Sequence, residues 1–157
     1  MVNKRTVIFD IDGTLANIEH RTHFVTGKKK DFDAFNEAMV DDVPNEPIVR
    51  LHDALELDFQ IIYVTGRLER YREITIDFLM GIGGHIRYEE VLEIHLHMRP
   101  EDQRYLPDYQ VKQEILNYIL KSIDKENIIF AVDDRQQVVD MWRSNGITTL
   151  QVADGNY

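Results

Sequence analysis

Cysteine is absent from this chain of 157 residues. That absence excludes disulfide bonds and a thiolate-held zinc. No apolar run approaches the roughly 20 residues needed to cross a bilayer. The opening residues Met1-Val2-Asn3-Lys4-Arg5 lack the hydrophobic stretch and small-residue cleavage site of a secretory signal. A cytoplasmic setting with no membrane partner is the simplest expectation. Positive charge is also in deficit. Eighteen Lys and Arg face 28 Asp and Glu, for a net charge of −10. A long nucleic-acid-binding surface needs the opposite sign, because phosphate neutralisation drives such binding. Any nucleic acid is therefore expected to be held locally, at an end. A G-x-x-x-x-G-K-[S/T] phosphate loop is missing too, and no length remains for the domain that would carry one. Phosphate transfer from ATP is not expected.

What is present reads as one globular domain over residues 1–157. Apolar residues make up 43% and charged residues 29%, ordinary values for a chain that can bury a single core. Arg5–Ile11 is a short β-branched and aromatic run, suited to a strand covered on both faces. Gln60–Thr65 and Asn127–Val132 look alike, and Gly146–Val152 and Val91–Met98 are further candidates. Helical patterns lie over Pro47–Leu57, Leu68–Gly81, Asp108–Ser122 and Arg135–Asn145. This alternation predicts an α/β fold, a Rossmann-like parallel sheet with helices on both faces and right-handed crossovers. Ala16–Asn45 breaks the alternation. It reads as a small cap-like insertion after the first strand, with a helix near Asp31–Met39, over the mouth of the sheet.

Open parallel sheets bind ligands beyond the carboxyl ends of their strands. One strand here ends in Asp10-Ile11-Asp12-Gly13-Thr14, another in Thr65-Gly66-Arg67 and a third in Asp133-Asp134-Arg135. Lys112 stands in the first turns of the helix before that third strand. The D-x-D-G-T run, the Thr, the Lys and the paired acids, in this order, resemble the four motifs of the haloacid dehalogenase superfamily. The segment Asp133–Tyr157 is similar to the C-terminal end of the 3′-phosphatase domain of phage polynucleotide kinases. So are IFDIDGTLA, Arg21, Thr65-Gly66-Arg67 and the Asp108/Lys112 pair. The resemblance is weakest over Thr22–Asn45 and Gly81–Pro107.

The chemistry follows from the residue types. A phosphate monoester repels anionic nucleophiles, so its charge must be neutralised. A divalent cation among hard carboxylate oxygens does this, and such ligands select magnesium. Asp10, Asp12, Asp133 and Asp134 are the candidate ligands. Asp10 can attack phosphorus in line to give an aspartyl-phosphate. Asp12 can protonate the leaving oxygen and then activate water. Gly13 permits a sharp turn. Thr65 can offer a hydroxyl and Gly66 an amide to the transferring group, while Lys112 offsets charge on both partners.

Each assignment has a plainer alternative. Paired acids after a strand often only cap a turn; the companion motifs favour function for Asp133 and Asp134. Asp108 reads as a helix cap that also orients Lys112 four residues on. Arg21, Arg67 and Arg99 are read as substrate-binding cations rather than plain surface charges. On a strand, His95, His97 and Arg99 share one face, read as a polar face beside the substrate rather than a metal site. Trp142 and Met141 are read as packing residues. Lys28–Lys30 is either a solvated tip or a contact for a polynucleotide. The resulting expectation is a magnesium-dependent phosphomonoester hydrolase without kinase activity. By resemblance its substrate is a 3′-phosphate on a nucleic-acid end or a nucleotide. One rival is a phosphatase for free nucleotides or small metabolites. The other is a non-catalytic relative that binds phosphorylated ends, which loss of a motif residue would favour; none is lost.

Overall fold

The computed structural model describes residues 4–82, 92–93 and 95–157. In chain order the elements are β1 (Thr6–Phe9), β2 (Ala16–Asn17), α1 (His23–Thr26), α2 (Phe32–Glu37), β3 (Val43–Pro44) and α3 (Glu46–Glu56). They continue with β4 (Gln60–Leu68), α4 (Arg72–Gly81), β5 (Leu96–Arg99), α5 (Asp108–Ile119), β6 (Ile128–Asp133), α6 (Gln136–Ser144) and β7 (Thr149–Gln151). Five strands form one sheet in the order β5-β4-β1-β6-β7, and every pairing is parallel.

β1 is wholly buried, because it lies at the centre with helices above and below. Its alternating side chains go to opposite faces. Val7 and Phe9 join Val49 of α3 and Ile76 and Leu79 of α4 in one core cluster. Ile8 joins Val111 and Leu116 of α5 and Val138 and Trp142 of α6 in the other. The α/β architecture is thus the expected one.

Two boundaries differ from expectation. The helix predicted from Leu68 begins at Arg72, because β4 stays extended through Leu68, which pairs with Arg99 of β5. The strand predicted over Val91–Met98 is shorter. Leu92, Glu93 and His95 are helical, and β5 begins at Leu96; Val91 and Ile94 lie outside the described residues.

The segment after β1 leaves and returns through the antiparallel pair β2–β3, with Asn17 opposite Val43. Between them, Asp31 caps α2 by accepting from the Ala34 amide at 2.9 Å. Val25 and Phe35 pack into the same core cluster as Ile11 and Leu15. The insertion is therefore seated over the carboxyl end of β1. Among the described residues no helix is long and apolar enough to cross a membrane.

Candidate active site

Asp10 follows the last residue of β1 and is 4% exposed. Its Oδ2 accepts from the Thr14 hydroxyl at 2.8 Å, and its Oδ1 from Lys112 Nζ at 2.7 Å. The turn that returns Thr14 to Asp10 passes through Gly13 at φ +77°. A Cβ there would also stand 2.2 Å from Asp134 Oδ2, so glycine is required by both conformation and space.

Asp133 ends β6 and Asp134 follows it. Asp133 Oδ1 accepts from the backbone amides of Asp134 and Arg135, at 2.9 and 3.3 Å. Its Oδ2 accepts from Lys112 Nζ at 3.0 Å and from the Trp142 indole at 3.2 Å. Asp134 Oδ1 is buried and has no hydrogen-bond partner among the described residues. Asp10, Asp133 and Asp134 each offer a carboxylate oxygen, all within 4.8 Å of one another. Burial and the charge of Asp133 hold the Asp10 carboxyl well above its usual range, against the pull of Lys112. The same two causes push Asp134 up to about 6. Burial works against the charge on Lys112, but Asp10, Asp108 and Asp133 outweigh it and hold its pKa well above the usual lysine range. Fully ionised, these three carboxylates would exceed the one ammonium by two negative charges; burial and that excess are why Asp10 and Asp134 resist ionisation with no cation among them. An orphaned oxygen, hard donors and that excess all suit a divalent cation such as magnesium.

Asp12 departs from the expected ligand set. Its carboxylate is not part of that cluster. Beyond Ile11 it turns instead to two guanidiniums, accepting from Arg21 Nη2 at 2.7 Å and from Arg67 Nε and Nη2 at 2.9 and 2.6 Å. Burial opposes its ionisation, but Arg67 and Arg21 prevail and lower its pKa to about 2. The arginines themselves are 0% and 2% exposed. Both also reach Asp42, Arg21 through Nε at 2.7 Å and Nη2 at 2.6 Å, Arg67 through Nη2 at 2.7 Å. Asp42, whose side chain is fully buried at the end of the insertion, is marked by no motif in the sequence. Arg67 lines the open cavity, whereas Arg21 stands behind it.

Asp108 was expected to cap α5. It makes no cap hydrogen bond, since Pro107 occupies the N-cap position. Its carboxylate instead joins Arg99 at 3.1 Å and Lys112 at 3.5 Å, so the orienting contact is present. Arg99 also donates to the carbonyls of Gly66, Gln103 and Leu106 at 2.9, 3.0 and 2.6 Å. It ties the segment before α5 to Gly66 of β4 while keeping an edge on the cavity. Gly66 is needed there: a Cβ would lie 2.3 Å from Asp108 Oδ1. The Thr65 hydroxyl accepts from the Arg67 amide at 3.2 Å.

Asp10, Asp12, Gly66, Arg67, Arg99 and Asp108 line a cavity of about 610 Å³ between the insertion and the segment preceding α5. Lys29 and Lys30 reach its rim. His95 and His97 do not line it. His95 contacts Gln60, and His97 packs edge-on against Tyr118 at 5.8 Å, because β5 is the outer strand of the sheet. Two further residues were missed. Trp142, read only as packing, also holds Asp133. Tyr157 donates its hydroxyl to the Asp12 carbonyl at 3.2 Å, and its ring sits 5.2 Å from the Arg135 guanidinium. Burial and the nearby acids, Asp134 foremost, raise the Tyr157 phenol well above its usual range.

Known proteins resemble this chain in sequence and in fold. A protein of Autographa californica nuclear polyhedrosis virus, named as a bifunctional polynucleotide kinase/RNA ligase, is 29% identical over 150 residues. That match covers 93% of this chain and 19% of the viral protein. A chain of the Pnkp1/Rnl/Hen1 RNA repair complex superposes with a TM-score of 0.73 at 26% identity, covering 100% of this chain and 45% of that one. The chain thus spans less than half of either relative. A haloacid-dehalogenase-family enzyme of Bacteroides thetaiotaomicron, solved with magnesium and inorganic phosphate, shares the fold at a TM-score of 0.58 and 11% identity. There the coverage is 98% of this chain and 96% of that one. Residues 4–157 match the family of the polynucleotide kinase PNKP phosphatase domain, and the chain belongs to that family, as a phosphatase domain of the haloacid dehalogenase type.

Proposed function

We propose that this chain removes 3′-phosphates from nucleic-acid ends and 3′-nucleotides, with magnesium, through an aspartyl-phosphate on Asp10. The observation that carries the reading is the setting of Asp10. It is held by Thr14 and Lys112, and its carboxylate lies within 4.8 Å of the oxygens of Asp133 and Asp134. Asp10, Asp133 and Asp134 would hold the cation, which offsets charge on the phosphate and on its nucleophile. The fold neighbour solved with magnesium and phosphate supports that choice. The relatives named for polynucleotide kinase and RNA repair support a nucleic-acid end as substrate.

In the first step an Asp10 oxygen forms a bond to phosphorus as the bond to the 3′-oxygen breaks. Asp12 gives that oxygen its proton. To do so Asp12 must first take up a proton, from the medium or from a substrate bound as the phosphate monoanion, on Oδ2, the oxygen that neither arginine holds; the incoming phosphate, by sharing the charge of Arg67, favours that uptake. In the second step water attacks phosphorus, Asp12 takes its proton, and the Asp10–phosphorus bond breaks to release phosphate. Lys112 stays charged throughout and stabilises Asp10 as both nucleophile and leaving group.

The test compares one oligonucleotide carrying either a 3′- or a 5′-phosphate, with magnesium. The expected result is much faster release from the 3′ end and none from Asp10→Asn. Equal rates at both ends would contradict the end assignment, and undiminished release by Asp10→Asn would contradict the mechanism.

A further inference from the structure

The rim of the active-site cavity carries a feature that phosphate hydrolysis does not use. Phe32, at the start of α2, is 55% exposed, and Tyr105, in the segment before α5, is 91% exposed. Both line the cavity that descends to Asp10 and Asp12. Asp33 adjoins Phe32 and Arg104 adjoins Tyr105, and these two charged neighbours form an ion pair across the rim. The pair brings the two aromatic residues to one mouth. Each ring also has its own cation. Lys30 Nζ lies 5.9 Å from the centre of the Phe32 ring, and the Arg104 guanidinium lies 5.7 Å from that of Tyr105.

A single exposed ring needs no explanation, but two at the mouth of one cavity mark a ligand site. Here the surroundings specify its chemistry. The rings continue the wall of a phosphate-ester site, so the occupant is attached to the ester. Cations beside each ring suit a group flanked by backbone phosphates. Flat rings interleaved with cations are the usual platform for an unpaired nucleobase, and stacking tolerates any base because each has a π-face. We infer that Phe32 and Tyr105 form a stacking subsite for the base of the terminal nucleotide. This rests on the function proposed above and adds to it how the substrate is recognised. It also fits the net charge of −10: a protein that repels a long polyanion can still hold its last base by stacking.

The test uses two 3′-phosphorylated oligonucleotides, one ending in a normal nucleotide and one ending in a stable tetrahydrofuran residue without a base. The quantity read is the ratio of their kcat/KM values. The native chain is expected to favour the base-bearing end about ten-fold. Phe32→Ala and Tyr105→Ala should each lower that ratio by about five-fold or more, the range set by single stacking contacts. Phe32→Tyr and Tyr105→Phe should preserve it. Both side chains are surface-exposed, so the variants retain the fold, which circular dichroism verifies. A native ratio near one, or a ratio unchanged in both alanine variants, would overturn the subsite while leaving the 3′-phosphatase reading intact. Failure of the native chain to release either 3′-phosphate would overturn both.

Discussion

The indole nitrogen of Trp142 donates to Asp133 Oδ2 at 3.2 Å, from a side chain that is also a large fully buried member of the core. One residue thus couples the packing of α6 to the acidic cluster. Trp142→Phe keeps an aromatic ring but leaves a buried carboxylate short of a donor. Stability should fall by about 1–3 kcal/mol, read as a lower urea midpoint at unchanged slope. The magnesium concentration giving half-maximal activity should shift as well. A variant with native stability and native magnesium response would contradict this coupling.

Asp42 is the second residue on which the site leans. It lies under Arg21 and Arg67 and shares both with Asp12. Asp42→Asn removes one of the two buried charges opposing those guanidiniums. Breaking such a buried arrangement should cost about 3–5 kcal/mol, together with at least a roughly ten-fold fall in kcat, about 1.4 kcal/mol in the barrier. Chemical denaturation and steady-state kinetics on the same preparation check both. Unchanged kinetics in a stably folded variant would mean that Asp12 is positioned without Asp42.

Gly66→Ala tests the close approach of β4 to Asp108. The new Cβ would fall 2.3 Å from Asp108 Oδ1. Asp108 would have to move from the position in which it meets Arg99 and Lys112. The fold should persist while kcat/KM falls by about ten-fold or more, through a misplaced Lys112. Retained activity would show that Asp108 can yield without disturbing the lysine.

Much of this was legible in the residues because local chemistry dictated it. A buried β-branched run followed by Asp10-Ile11-Asp12-Gly13-Thr14 specifies a central strand with acids at its carboxyl end. The i, i+4 spacing of Asp108 and Lys112 brought those two together as expected. What escaped depends on contacts distant in sequence. Asp42 meets Arg67 across 25 positions and Tyr157 meets Asp12 across 145; no local pattern encodes either. The strand near His95 was misjudged because alternating polar and apolar residues also occur where a helix gives way to a short strand. Arg21 and Arg67 were legible as cations beside the phosphate site, but not the buried acids Asp12 and Asp42 that both of them also hold.

Salt should weaken activity only mildly. The net charge of −10 argues for contacts to the last nucleotide or two, and each phosphate contact adds about 0.7 to the slope of log affinity on log salt for a single strand. A KM slope of about one to two, and a 3′-mononucleotide nearly as good as an oligonucleotide, are expected. A steep slope with strong preference for long strands would require a basic track, for which Lys28–Lys30 is the candidate.

In the proposed reaction every phosphate released passes through Asp10. Rapid mixing of the enzyme with excess 3′-phosphorylated oligonucleotide and magnesium, followed by acid quenching and peptide mass analysis, tests it directly. A phosphoryl group is expected on the peptide containing Asp10, formed and lost at rates compatible with turnover and absent from Asp10→Asn or when magnesium is chelated. Rapid release of phosphate with no adduct at any quench time, or an adduct on another residue, would contradict it.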